Sequence, residues 1–148
     1  MSLSEEISRV GSLFIDTSIV IYLLEAHAQF GPLARQVVDA YQSGSVSGYT
    51  SVVTLTETIT KPAALGDQAY VQRCLEFLEQ DPGLVLLDIT ARVAERAGRL
   101  RGKYPKLKTA DAMQLAAAIL VGAEAFVTND VGLKRVDDVR VIVLRDYL

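Results

Sequence analysis

Two apolar runs in this chain end in a carboxylate. In SLFIDTS, Leu13, Phe14 and Ile15 lead into Asp16, Thr17 and Ser18; in AFVTND, Ala125, Phe126 and Val127 lead into Thr128, Asn129 and Asp130. Glu57 in TLTE and Asp111 in TADA complete a set of four acids with no histidine or cysteine beside them in the sequence. Such donors suit a hard divalent cation. Mg2+ keeps several waters and takes one or two carboxylates together with substrate phosphate oxygens. Three or four clustered carboxylates can hold two ions about 4 Å apart, an arrangement suited to phosphodiester hydrolysis. Without a cation, clustered carboxylates repel and raise one another's pKa.

Each acid also has a purely structural reading at a helix end. Asp16 or Ser18 can cap a helix beginning IVIYLLE, and Asp130 a short helix VGLKRV. Glu57 follows Thr54 at capping-box spacing, and Asp111 lies two residues after Thr109, where an acid meets the positive end of a helix. Two positions exceed what capping needs. Glu57 falls inside a helical stretch, SVVTLTETITKPAAL, and Asp111 opens the most apolar helix of the chain, where a charge needs an ion or a metal as partner.

Other chemistries find few residues. The chain has one cysteine, Cys74, and one histidine, His27, which removes zinc sites of Cys/His type and disulfide frameworks and argues against Cys/His or Ser/His nucleophiles. Cys74 keeps step with Val71, Leu75 and Leu78 and reads as a small core hydrophobe; His27 reads as a loop residue. RGKY lacks the spacing and the hydroxyl of a phosphate-binding P-loop.

The elements that must position the acids alternate. Helical spacing runs through PLARQVVDAYQ, YVQRCLEFLEQ and RVAERAGRLRGKY, while ADAMQLAAAILVGA is apolar on nearly every side and reads as the most buried helix. Short apolar runs, SLFI, VSGYT, LVLLDI, AFVT and VRVIVL, read as strands. Strands apolar on both faces and separated by helices predict a three-layer α/β/α fold with a mostly parallel sheet. Ligands of such sheets bind beyond the carboxyl ends of the strands, which is where Asp16 and Asp130 fall.

At 148 residues, half of them apolar, the chain fits a single domain over 1–148 with a full core. No apolar run is long enough for a membrane span, and MSLSEEISRV puts acids where a signal peptide has bases, so a cytoplasmic protein is expected. The net charge of -3 hides an uneven distribution. Between Arg92 and Lys108 seven basic side chains, Arg92, Arg96, Arg99, Arg101, Lys103, Lys106 and Lys108, face Glu95 alone. The run RLRGKYPKLK leads directly to Asp111 and could guide a phosphate backbone toward it; its plainer reading is a solvated helix face and loop.

Taken together, FIDTSIVIYLLE, TSVVTLTETITKP and KTADAMQLAAAILVGAEAFVTND, with the order and spacing of their acids, resemble a PIN domain, and within it the VapC-type toxin ribonucleases of toxin-antitoxin pairs. The resemblance runs from about Leu13 to Leu144; the ADA helix leading into TND is its most specific part. It implies a Mg2+- or Mn2+-dependent endoribonuclease with one or two ions, in which Asp16, Glu57, Asp111 and Asp130 match the family's four acids. Asp16, Asp111 and Asp130 are expected to bind metal directly, and Glu57 to bind a second ion or orient the attacking water. Thr17, Ser18, Thr128 and Asn129 are expected to support the acids, a hydroxyl there orienting a carboxylate. Arg99, Arg101, Lys103, Lys106 and Lys108 are expected to contact RNA, single-stranded or looped, because a duplex cannot enter a narrow cleft. A homodimer and an antitoxin that covers the site are also implied, and exposed apolar positions of IYLLEAHAQF could serve an interface. One departure is Leu133, where many relatives carry an aromatic residue.

Two readings from other classes compete. A haloacid-dehalogenase-like phosphatase also begins with a strand ending in Asp, but needs an acid two residues on, where this chain has Ser18. A non-catalytic RNA- or protein-binding module on the same fold predicts tolerance of acid-to-amide changes.

Overall fold

The computed structural model describes residues 1–148. Seven helices and five strands alternate: α1 Leu3–Ser8, β1 Ser12–Ile15, α2 Thr17–Leu24, α3 Gly31–Gln42, β2 Ser47–Ser51, α4 Val52–Ala64, α5 Gln68–Gln80, β3 Leu84–Leu87, α6 Ala91–Lys103, α7 Thr109–Val121, β4 Ala125–Thr128 and β5 Arg140–Val143. A 3-10 turn follows each of the last two strands, at Val131–Arg135 and Leu144–Tyr147. The sheet order is β3-β2-β1-β4-β5, and every pairing is parallel.

Strand side chains alternate between two apolar layers. Leu13, Ile15, Ala125, Val127 and Ile142 pack with α1, α2 and α3 on one face; Phe14 and Phe126 pack with α6 and α7 on the other. The two Phe rings stack at 5.3 Å between centroids because their strands are paired in register, Phe14 opposite Phe126. Burial of both faces accounts for the unbroken apolar runs of β1 and β4. Leu133 fills its place in the second layer at 2 % exposure, so no aromatic ring is needed there. Cys74 is fully buried, as a core residue should be.

The N-terminal helix α1 escaped the sequence reading. Its signals were present: Ser2 caps the helix by accepting from the Glu5 amide, and Leu3 and Ile7, one turn apart, are buried. α4 carries Pro62 in its last turn. Proline has no amide proton to give the Thr58 carbonyl, and Cys74 Sγ points at that oxygen from α5 at 3.9 Å. α7 ends at Gly122, whose φ of 80° turns the chain toward β4, a conformation glycine adopts without strain.

In this order the chain leaves β1 toward β2 and β3 on one side, and later fills β4 and β5 on the other. The reversal lies between β1 and β4, the place where open parallel sheets form a crevice beyond their carboxyl ends.

Candidate active site

β1 and β4 end side by side, Ile15 opposite Val127, and the Asp16 amide donates to the Val127 carbonyl at 3.1 Å. The carboxylate of Asp16 is surrounded by donors. Oδ1 takes the Ser18 hydroxyl at 2.5 Å and the Ser18 amide at 3.0 Å, which makes Asp16 the cap of α2, and Oδ2 takes the Thr128 hydroxyl. Thr128, fully buried, also accepts the Asp130 amide at 3.1 Å, so one side chain relates two acids. Capping and a role at the sheet edge therefore coexist at Asp16.

Asp130 likewise caps the 3-10 turn after β4 through the Gly132 amide at 2.8 Å. A Cβ at Gly132 would stand 3.0 Å from Asp130 Oδ1 and 3.1 Å from Arg135 Nη1, so both groups close over that glycine. The Arg135 guanidinium is held there by a bond to the Gly132 carbonyl and forms no ion pair. Sequence reasoning missed it, having read VGLKRV only as a capped short helix.

Glu57 lies in the second turn of α4, where Thr17 donates to its Oε1 at 2.5 Å. The capping box expected of Thr54 and Glu57 does not form. Ser51 caps α4 by accepting the Val53 amide at 3.2 Å, while Thr54 is buried and lies within hydrogen-bonding distance of Thr50, Thr17 and Gln114. Gln114, one turn beyond Asp111 on α7, is 2 % exposed and was read as part of an apolar helix; its amide joins this polar seam. Only its being the polar residue at the centre of ADAMQLAAA could have revealed it.

Asp111 sits in the first turn of α7, behind Lys108, which supplies no side-chain cap. Partial burial raises its carboxyl above the usual range, and Asp130 and then Glu57 push it further; Lys108 and Arg135 oppose this. Asp16 is pushed up to about 6, chiefly by burial, against its hydroxyl and amide donors and with a smaller push from Asp111. The four acids thus share one region of negative potential.

No three of the acids are arranged as a ready-made metal cage. Asp16, Glu57 and Asp130 take donors from their own neighbours instead. The set is nevertheless oxygen-only, with mutual repulsion that a cation relieves, which fits Mg2+ or Mn2+ rather than zinc.

The other expected residues divide. Asn129 turns away from the acids: it donates to Tyr22 Oη at 3.0 Å and accepts the Arg145 amide at 2.9 Å, joining α2 to the C-terminal turn. Arg99 pairs with Glu95, Lys103 with Asp138, and Arg101 Nε donates to the Leu107 carbonyl at 3.0 Å. Lys106 and Lys108 are exposed and free of ion pairs. Of the apolar positions in IYLLEAHAQF, Tyr22, Leu23, Leu24 and Phe30 are half-buried against the first core layer. Ile21 and Leu24 line a hollow of about 50 Å3 with Glu57, Pro62, Tyr70 and Cys74. No helix is long and apolar enough to cross a membrane.

Comparison with known proteins bears on the fold and the family. DNA-bound VapBC from Salmonella typhimurium superposes with a TM-score of 0.72 at 19 % identity, over 90 % of this chain and 98 % of that one. VapBC2 from Rickettsia felis, bound to a promoter DNA fragment, gives 0.69 at 18 % identity, over 89 % and 98 %. VapC20 of Mycobacterium tuberculosis, a sarcin-ricin loop cleaving toxin, gives 0.63 at 19 % identity, over 77 % and 86 %. These likenesses establish a shared fold. No curated protein matches the sequence. The family model described as PIN domain matches residues 13–139, from the first buried strand past the last of the four acids, and the chain therefore belongs to the PIN domain family.

Proposed function

We propose that the chain, acting over residues 1–148 as one domain, is a divalent-metal-dependent endoribonuclease and the toxin of a toxin-antitoxin pair. The observation that carries this reading is the set of hydroxyl links at the carboxyl ends of β1 and β4: Thr128 bonds both Asp16 and Asp130, Thr17 beside Asp16 bonds Glu57, and Asp130 and Glu57 both raise the carboxyl of Asp111. The VapBC assemblies that share the fold add support for an antitoxin partner. The sarcin-ricin loop cleaved by VapC20 adds support for a looped RNA substrate. A homodimer and a cytoplasmic location belong to the same reading.

Asp16, Asp111 and Asp130 would hold one Mg2+ or Mn2+, with Glu57 holding a second or orienting the attacking water. When bound, the cation polarises the scissile phosphodiester and makes the attacking water more acidic. The chain's own residues do the rest. Ser18 and Thr128 aim the two Asp16 oxygens, and Thr17 aims Glu57. Lys108 and Arg135 offset the charge at Asp111 and, with Lys106, lie along the path of the RNA backbone in this reading.

The direct test is cleavage of labelled single-stranded RNA with Mn2+, with chelator, and with an Asp111→Asn variant purified in the same way. Cleavage that needs metal and drops at least about 1,000-fold in the variant supports the nuclease. Equal cleavage by variant and wild type would sink it, and metal-independent RNA binding that tolerates the amide would favour a silent binding module.

Arg135 gives a second test. An arginine fork can grip a phosphate with two donors, and this one has donors to spare beyond its bond to Gly132. Arg135→Ala should raise KM about tenfold with kcat within threefold, and lower the slope of log K against log salt by about one. An unchanged salt slope would remove Arg135 from the RNA path.

A further inference from the structure

We propose that Gln114 is a positioning residue whose buried amide directs the Thr17 hydroxyl at Glu57 and so holds Glu57 at the acid edge; this rests on the nuclease reading above. Gln114 extends from α7, the helix of Asp111, and reaches two other acid-bearing parts of the chain. Its Nε2 donates to Thr54 Oγ1 at 2.7 Å, one turn before Glu57 on α4, and to Thr17 Oγ1 at 3.4 Å, next to Asp16. Its Oε1 accepts the Ser51 hydroxyl. No buried side-chain nitrogen or oxygen in the protein lacks a partner, so the seam is complete.

The direction of the bonds follows from the inventory of protons. A hydroxyl has one proton to give, whereas an ionised carboxylate only accepts. Thr17, 2.5 Å from Glu57 Oε1, must therefore spend its proton on Glu57, leaving lone pairs toward Gln114 and Thr54. An amide N–H aimed at those lone pairs is what makes that choice stable. Ser51 fixes the amide the right way round, because its hydroxyl proton goes to Oε1 while its oxygen accepts the Val53 amide at 3.2 Å. Donors run in one direction, from Ser51 through Gln114 and Thr17 to Glu57. A turned amide would set a carbonyl against Thr17 and Thr54, and its NH2 against Ser51.

The neighbours of Gln114 on α7 are buried Ala112, Leu115, Ala116, Ala117 and Ala118, so its amide is the polar group that this buried stretch of the helix presents to the hydroxyls of α2 and α4. What the amide adds is a defined geometry between α2, α4 and α7.

The test pairs Gln114→Met, of similar volume, with Glu57→Gln and the double variant. Single-turnover cleavage, Mn2+ titration by calorimetry and thermal unfolding are measured for each. We expect Gln114→Met to lower the maximal single-turnover rate about tenfold with the half-saturating concentration unchanged, and to weaken Mn2+ binding about tenfold. In the Glu57→Gln background the same substitution should change neither. Equal losses in both backgrounds, or no loss in either, would overturn the proposal. Should Gln114→Met fail to fold, Thr17→Val cuts the same chain at its last link and is scored by the same criterion. If the wild type cleaves no RNA, the nuclease reading falls, and the Mn2+ titrations still decide whether Gln114 acts through Glu57.

Discussion

Asp16→Asn should abolish the proposed cleavage and, in the presence of chelator at pH 7.5, make the protein more stable. The two effects have one cause. Asp16 is held at the sheet edge by burial that pushes its carboxyl up to about 6, so at neutral pH the folded chain carries a charge it solvates poorly. The shift from the ordinary value of 3.8 corresponds to at most about 3 kcal/mol, and we expect a gain of about 1–3 kcal/mol in the variant. Asparagine still accepts the Ser18 amide and remains a good cap for α2, so the gain is not lost to fraying. Denaturant unfolding of both proteins from pH 4 to 8 measures it. Below about pH 4 Asp16 is protonated in both the folded and the unfolded wild type, and the difference disappears. Between pH 4 and 6 the folded wild type keeps a proton that the unfolded chain has lost, so wild-type stability falls as pH rises and the variant's advantage grows to its full value above about 6. An advantage independent of pH would mean that Asp16 does not carry the strain. A loss of cleavage below about 1,000-fold would remove it from the set that performs the chemistry.

Divalent cation should invert that comparison. Mn2+ that binds the folded carboxylates and not the unfolded chain stabilises by about 2.7 kcal/mol at 100 times its Kd. Wild type should gain this much at pH 7.5, while Asp16→Asn and Asp111→Asn gain little. The fall in wild-type stability between pH 4 and 6 should flatten in saturating Mn2+, since the charges that repel in its absence become ligands. Thermal unfolding with Mn2+, Ca2+ or chelator reads the result without any RNA. A shift equal in wild type and both variants would place the cation elsewhere on the molecule.

The acids were legible because their positions depend on a regular feature. A parallel strand buried on both faces must be apolar, so its end is marked by the first polar residue, and Asp16 and Thr128 are those residues. The sheet, its helical crossovers and the burial of Cys74 follow from the same periodicity. The remaining features depend on contacts between residues far apart in the chain. Thr54 and Ser51 both have the local pattern of a helix cap; Ser51 takes that place, and Thr54 is bonded instead by Gln114, 60 residues further on. Lys103 and Tyr104 reach Asp138 across the fold, so a run that is strongly basic on paper is partly neutralised. Asn129 has the right neighbours for the site but bonds to Tyr22 and Arg145, which no local pattern foretells. Arg135 was hidden for the opposite reason: it sits close in sequence to Asp130, in a stretch already explained as a capped turn.

The hydrogen bond from Thr128 to Asp16 joins residues 112 positions apart. Helices such as α6 and α7 can form from neighbouring residues, but this contact closes a long loop, whose entropy cost makes it slower to form than local structure. During refolding, helical signal should therefore return before β1 and β4 pair. The destructive chemistry proposed for this edge would then arrive only once β1 and β4 have paired, and an incompletely folded copy would be harmless.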